Sequence, residues 1–345
     1  MDLPNEALLT LVSKIDVMKP NSIKDKDLKQ VAKLEALFSS DEYAAEKKED
    51  GCHYLMVGCR FFSTEHIEKT DNYPHLRDFF IKLDFPNLIL DGEIFYPGKT
   101  SQYCTRVTGA DASTAVAFQQ KNGQIHYYFW DMLRTPKGTW LNNVPYIKRR
   151  EILVYFYDQF IKNTSMAEFI HLSDMRIENK KEFVDKIIAD GGEGAVLKKL
   201  NSLYVMGKKP AWMWMKYKIK DTADFFITGY EAPTIKYSGT DFDNWPYWRD
   251  VNGVMTPVSQ NYYYDLIGAI ELSAYVNGQE TKICTCSGID DNLRKEISEN
   301  REGFMGKVVK ISFMQCTEAG YPRHPRFEEF HESKTADECM WELSK

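Results

Sequence analysis

Three short stretches carry side chains able to do chemistry at a phosphate. The first, AAEKKEDG (44–51), sets Lys47 and Lys48 among Glu46, Glu49 and Asp50 and ends at Gly51. In an extended segment residues two apart share a face, so Glu46, Lys48 and Asp50 point one way and Lys47 and Glu49 the other. If the Asp50-Gly51 turn closes a pocket, Lys48 points into it. A protonated amine is no nucleophile. Desolvation and neighbouring cations are expected to lower the Lys48 pKa and free its lone pair. Taken alone, KKED also fits a charged surface turn.

The second stretch is a pair of carboxylates. LDGEIF (90–95) sets Glu93 in an apolar run, and DGGEGAVLKK (190–199) sets Glu193 at a glycine-rich turn. Two such carboxylates beside a lysine suit a hard divalent cation and a nucleotide. The third, WMWMKYKIK (212–220), puts Lys216 and Lys218 on one strand face. Two converging ammonium groups repel unless an anion lies between them, and phosphate oxygens are the natural anion. The flanking Trp212, Trp214, Met215 and Ile219 are poorly suited to a solvated edge. Lys198, Lys199, Lys208, Lys209, Lys216, Lys218 and Lys220 follow one another with no intervening acid. Such a run is either a solvated surface or a track for a polyanion backbone.

These groups need a scaffold. The 345 residues allow two medium domains or one large one, and 43% hydrophobic with 27% charged content suits a globular chain. A net charge of −6 excludes nucleic-acid binding over the whole surface but not along a local track. Seven scattered cysteines without a CxxC pair argue against zinc and for a reducing, intracellular setting. The start MDLPNEALL has no signal-peptide character, and no apolar run is long enough to span a membrane. Residues 4–38 read as helical. Strands are expected at 53–57, 87–96, 126–133 and 194–200, with helices at 75–82, 110–120, 146–162 and 180–189. After Lys220 the texture changes to short strands and turns with one helix near 291–299, which suggests a small barrel of about five strands. The aromatic stretch 236–263 reads as a long functional loop.

The order K-x-D-G, D-G-E, F-W-D, E-G-A-V-L-K and W-M-K-Y-K resembles the covalent nucleotidyltransferase superfamily. Within it the chain looks like a compact ATP-dependent DNA ligase of the bacteriophage or viral type. DTADFFITGY (221–230) and RHPRF (323–327) with its charged tail extend the resemblance into the barrel. The implied fold class is α+β. An ATP-grasp-like adenylation domain with a short N-terminal helical segment would occupy 1–222, and an OB-fold β-barrel 223–345. The implied activity is sealing of 5′-phosphate/3′-hydroxyl nicks in duplex DNA, in replication, repair or recombination. The implied cofactors are ATP and Mg²⁺ or Mn²⁺.

Residue by residue, the resemblance makes Lys48 the nucleophile that becomes lysyl-AMP. It puts Glu46 on the adenine amino group, Glu93 near the ribose and Phe129 stacked on adenine. Glu193, with Glu93, would hold the metal, and Lys216 and Lys218 the α-phosphate. Arg326 and Lys334 would orient the leaving pyrophosphate. For DNA, the expected contacts are Arg60, Lys198, Lys199, Lys208, Lys209, Trp245, Trp248 and Arg249, with a hinge near Lys220–Asp224. His53 and His331 stand where the family often has arginine. A monomer in the cytoplasm is expected, without the large helical DNA-binding domain of bigger cellular ligases. An RNA ligase, a capping guanylyltransferase and a nick-binding protein without catalysis are the alternatives.

Overall fold

The computed structural model describes residues 5–22, 28–218, 221–317 and 319–343. The chain divides into two compact units, Met1–Lys218 and Ile219–Lys345. The first unit holds two antiparallel-dominated sheets. One contains β1 (Tyr43–Lys47), β7 (Met175–Arg176), β8 (Ala195–Lys199) and β9 (Trp214–Tyr217), in the order β7-β1-β8-β9. The other contains β2 (Cys52–Val57), β3 (Arg60–Ser63), β4 (Ile89–Phe95), β5 (His126–Arg134) and β6 (Ile170–Leu172), in the order β3-β2-β4-β5-β6. Among these strand pairs β5–β6 alone is parallel.

Several of these strands read as unbroken apolar runs because each face meets a different core. On β2, Tyr54 and Met56 join the core under helices Pro74–Leu83, Ser101–Thr108 and Tyr146–Phe160, whereas Leu55 and Val57 face a second core shared with Val196 and Trp214. On β8, Val196 faces that second core while Ala195 and Leu197 turn to a third, with Leu34, Phe38 and Val184. The chain passes from one sheet to the other between β1 and β2, and Lys48 lies on that passage.

The N-terminal reading needs correction. Helices occur at Asn5–Val12 and Leu28–Ala36, but residues 15–22 run extended. Ile15, Val17 and Met18 are buried in the second core together with Leu8 and Val12. Apolar spacing there fits a helix equally well, and tertiary burial decides against it.

The second unit is a five-stranded sheet made of β10 (Asp221–Glu231), β13 (Ala269–Val276), β14 (Gln279–Cys286), β15 (Val308–Cys316) and β16 (Pro322–Phe330), in the order β14-β13-β10-β15-β16. An isolated parallel bridge, Ser287 to Arg326, links its two edges. With the helix Asp291–Glu299 before β15, this is the connectivity of a partly open OB-fold. The stretch 236–263 is not a bare loop. It holds a two-stranded hairpin, β11 (Trp248–Val251) and β12 (Val254–Pro257), and a short helix Gln260–Tyr263. Among the described residues no helix is long and apolar enough to cross a membrane.

Candidate active site

A cavity of about 280 Å³ opens between the two sheets of the first unit. Glu46, Lys48, Val196, Lys198, Trp214 and Lys216 line one wall, and His53, Glu93 and Trp130 the other. Met18, Lys19 and Pro20 of the extended N-terminal segment form its lip.

Lys48 is held by both its backbone and its amine. Its N–H donates to the Gly194 carbonyl at 3.0 Å, carrying the β1–β8 ladder one residue further. Its ammonium donates to Glu193 Oε2 at 2.5 Å and to the Glu49 carbonyl at 2.9 Å. The other Glu193 oxygen is ion-paired with Lys218. Gly194, with φ +130°, allows this geometry: a side chain there would strike the Tyr217 carbonyl and push β9 away. Lys47 instead pairs with Glu49 at 2.5 Å. Across the cavity Glu93 accepts a hydrogen bond from the Gly51 N–H at 3.1 Å.

The electrostatics reverse one expectation. Burial pushes the Lys48 pKa down, but Glu93, Glu193 and the hydrogen bond to Glu193 outweigh it and hold the amine above its ordinary value. Within the site it is Lys216 whose pKa is lowered, through burial and the charges of Lys218 and Lys48. Burial, with the nearby Glu193 charge adding to it, raises the Glu93 carboxyl despite Lys48. Lys48 is therefore stored protonated by its pairing with Glu193 and the nearby charge of Glu93, and a cation competing for those carboxylates would release it. Glu93 and Glu193 are oxygen donors that share the field of one cation, which fits a divalent metal. Among the described residues no group of three or more His, Cys, Asp or Glu side chains could hold a metal. Phosphate oxygens would have to complete the shell.

The floor of the cavity shows what sequence reasoning missed. Glu46 is buried, and its Oε1 accepts from Tyr146 (3.1 Å), Arg150 (3.2 Å) and Ser173. Its Oε2 is ion-paired with Lys198, whose ammonium lies 4.3 Å from the Trp214 ring centroid and 5.1 Å from that of Tyr146. Lys198 is thus buried in the cavity and does not lie on a DNA track. Alternation along β8 sends Lys198 inward and leaves Lys199 half-exposed beside Glu42 at 3.2 Å. Lys208 and Lys209 are exposed, with Lys209 at the rim.

Phe129 is also corrected. It is fully buried in the helix-side core, packed near Tyr127 and Tyr157, and cannot stack on a ligand in the cavity. The β4–β5 register passes from Gly92 opposite Phe129 to Asp91 opposite Asp131, which leaves Trp130 as an extra residue. That bulge turns Trp130 into the cavity, where it meets His53 edge-on at 5.0 Å. His53 in turn is fixed by buried Asp91 at 2.5 Å, and Asp91 by Tyr204 at 2.7 Å.

The remaining expected contacts are largely occupied. Arg60 forms an ion pair with Glu68. Trp245 stacks on Tyr237 at 3.8 Å and donates to the Val258 carbonyl, so it braces the hairpin from within. Arg249 grips both oxygens of Asp265 and so serves as a strut for the hairpin, not as a free phosphate contact. Trp248 is partly exposed, and Val254 and Met255 at the hairpin turn are exposed. In the second unit Arg326 is exposed on β16, while Lys334 is ion-paired with Asp224 of β10 at 2.9 Å. Lys220, the first residue of the expected hinge, lies with Ile219 outside the described residues.

The family model for the ATP-dependent DNA ligase domain matches residues 26–218, more than half of the chain and all of the cavity except its N-terminal lip. The chain belongs to the ATP-dependent DNA ligase family. No curated protein matches it. Among solved structures, one named Pmar-Lig_Pre is similar with a TM-score of 0.63 at 18% identity, over 96% of this chain and 73% of that one. A second comes from work on DNA binding by the minimal scaffold of Lig E DNA ligases. It is similar with a TM-score of 0.57 at 14% identity, over 84% of this chain and 93% of that one. These likenesses support the fold, an adenylation unit followed by an OB-fold. As a member of the family, this ligase is an enzyme that uses ATP and acts on DNA.

Proposed function

We propose that this ligase seals nicks in duplex DNA through a lysyl-AMP at Lys48. The observation that carries this reading is one amine ion-paired with Glu193 and within the field of Glu93, with Lys216 and Lys218 beside it. In the first step Lys48 gives up its proton, its nitrogen attacks the α-phosphorus of ATP, and pyrophosphate leaves. In the second, a DNA 5′-phosphate oxygen attacks the same phosphorus and the lysine amine leaves. In the third, a 3′-hydroxyl attacks the activated 5′-phosphate and AMP leaves. Lys216 and Lys218 offset the charge that builds on the phosphate oxygens each time. Glu93 and Glu193 would hold Mg²⁺ or Mn²⁺, which supplies Lewis-acid stabilisation of those oxygens.

Adenine would enter the floor, against Trp130 in place of Phe129, with Glu46 and Lys198 at its edge. Arg326 and Lys334 would orient pyrophosphate, and Lys334 can do so only after leaving Asp224. Half-exposed Lys199 and exposed Lys208 and Lys209 would contact backbone phosphates without reading sequence, with Trp248 and the hairpin turn as a further DNA contact. We place the enzyme in the cytoplasm as a monomer. Incubation with labelled ATP and magnesium, followed by peptide mapping, tests the central step. Label on Lys48 is expected, lost in Lys48→Ala and retained in Lys47→Ala. Label on another residue, or none, refutes the reading.

A further inference from the structure

The extended N-terminal segment does more than fill space. Asn21 sits on the open edge of β9, opposite β8, in an isolated parallel bridge to Met215. Its N–H donates to the Trp214 carbonyl at 2.8 Å, and its carbonyl accepts from the Lys216 N–H at 2.8 Å. Its side-chain amide donates to the carbonyls of Lys209 at 3.0 Å and Pro210 at 2.8 Å. Just before it, the Lys19 N–H donates to the Lys208 carbonyl at 3.1 Å, and the Met18 N–H to the Tyr204 hydroxyl at 2.9 Å. The segment is thus stitched to both the strand and the turn that border the cavity, and Asn21 is where the two sets of stitches meet.

The consequence falls on Lys216. On its inner side β9 is paired with β8, with Val196 opposite Lys216. On its outer side the backbone of Lys216 is fixed by the Asn21 carbonyl. β9 is a four-residue edge strand, a length that frays readily when one edge is unpaired. The amide group of Asn21 holds that carbonyl in place by tying it to the turn behind it. We propose that Asn21 is a positioning residue for nucleotide transfer: it fixes the backbone of Lys216, and through it the ammonium that meets the α-phosphate. A further consequence is that Met18, Lys19 and Pro20 stay in place as the lip of the cavity.

This inference rests on the reading of Lys216 as a phosphate-binding residue. The test measures the single-turnover rate of lysyl-AMP formation at limiting ATP in the full chain. Displacing a positioned group by about 1 Å costs on the order of 100-fold, so Asn21→Ala is expected to slow transfer roughly 10- to 100-fold. The deciding measurement is a double-mutant cycle. In a Lys216→Ala background, Asn21→Ala should cost no more than about twofold, because the group it positions is gone. A merely structural role would give the same loss in both backgrounds, and that result overturns the inference, as does an unchanged rate in Asn21→Ala. If Asn21→Ala does not fold, Asn21→Ser, which keeps a short donor, enters the same cycle. Wild-type protein that forms no adduct at all refutes the function proposed above, so the two failures are distinguishable.

Discussion

The residue after the cavity-facing tryptophan offers the sharpest test of how the first unit holds together. Asp131 and Arg149 are both fully buried, and their side chains form a two-point ion pair, Nε to Oδ1 at 2.8 Å and Nη2 to Oδ2 at 2.7 Å. Asp131 Oδ1 also accepts from the Met132 N–H, and Arg149 Nη1 donates to the carbonyls of Val144 (2.6 Å) and Ser202 (3.2 Å). Asp131→Ala leaves the guanidinium buried with two carbonyls and no counter-charge. Breaking a buried pair in this way costs about 3–5 kcal/mol. At about 2–4 °C per kcal/mol for a protein of this size class, Tm should fall by roughly 6–20 °C. Arg149→Ala should cost a similar amount by stranding the carboxylate. The double replacement Asp131→Leu with Arg149→Met should lose far less than the sum, because it removes both desolvated charges. With Asp131→Leu and Arg149→Met also made singly, urea and thermal unfolding of the full chain measure all four corners of the cycle. A single-variant loss under about 1 kcal/mol, or additivity in the double variant, would refute the reasoning.

Other outcomes follow from the same geometry. Trp130→Ala should weaken ATP binding by about 1–3 kcal/mol through lost stacking, measured by calorimetric titration. Phe129→Ala should instead cost about 3–5 kcal/mol of stability in urea and leave ATP affinity of the folded fraction close to wild type. On a plot of log DNA affinity against log salt, Lys208→Ala and Lys209→Ala should each reduce the slope by about one, whereas buried Lys198→Ala should leave it unchanged. His126 and His171 stack with ring nitrogens 2.8 Å apart, and burial together with their mutual repulsion lowers the His126 pKa to about 4 from 6.5. The unfolded chain then takes up this proton before the folded one. Stability from this pair is thus present above pH 6.5 and is lost as pH falls toward about 4. His126→Gln should flatten that part of a Tm–pH profile, and an unchanged profile would count against it.

Much of the site was legible because its spacing is local. Lys48 and Glu193 sit at turns flanking strands, and Glu93 and Lys216 inside strands, whose glycine and alternation patterns are visible in the chain. What could not be read depends on contacts made far along the sequence. A one-residue bulge between β4 and β5 shifts the inward position from Phe129 to Trp130, and no local signal marks a bulge. A run of lysines does not say which one is buried; Lys198 goes inward because Glu46, on the neighbouring strand β1, and Trp214 await it there. Tyr146, Arg150 and Ser173 converge on Glu46 from positions about 100 or more residues away, so they carried no motif at all. Residues 15–22 look helical in isolation and are extended because the cavity rim and the second core take up their backbone and side chains.

The arrangement around Glu193 also sets terms for any nucleotide that enters. Three ammonium groups, Lys48, Lys216 and Lys218, face two carboxylates, Glu93 and Glu193, so these five side chains carry a surplus of one positive charge. A triphosphate brings more negative charge than that surplus can neutralise. These side chains are therefore cationic by themselves and become anionic in sum once a triphosphate joins them, and an ion drawn from solution is needed to restore neutrality at the moment the lysine must shed its proton.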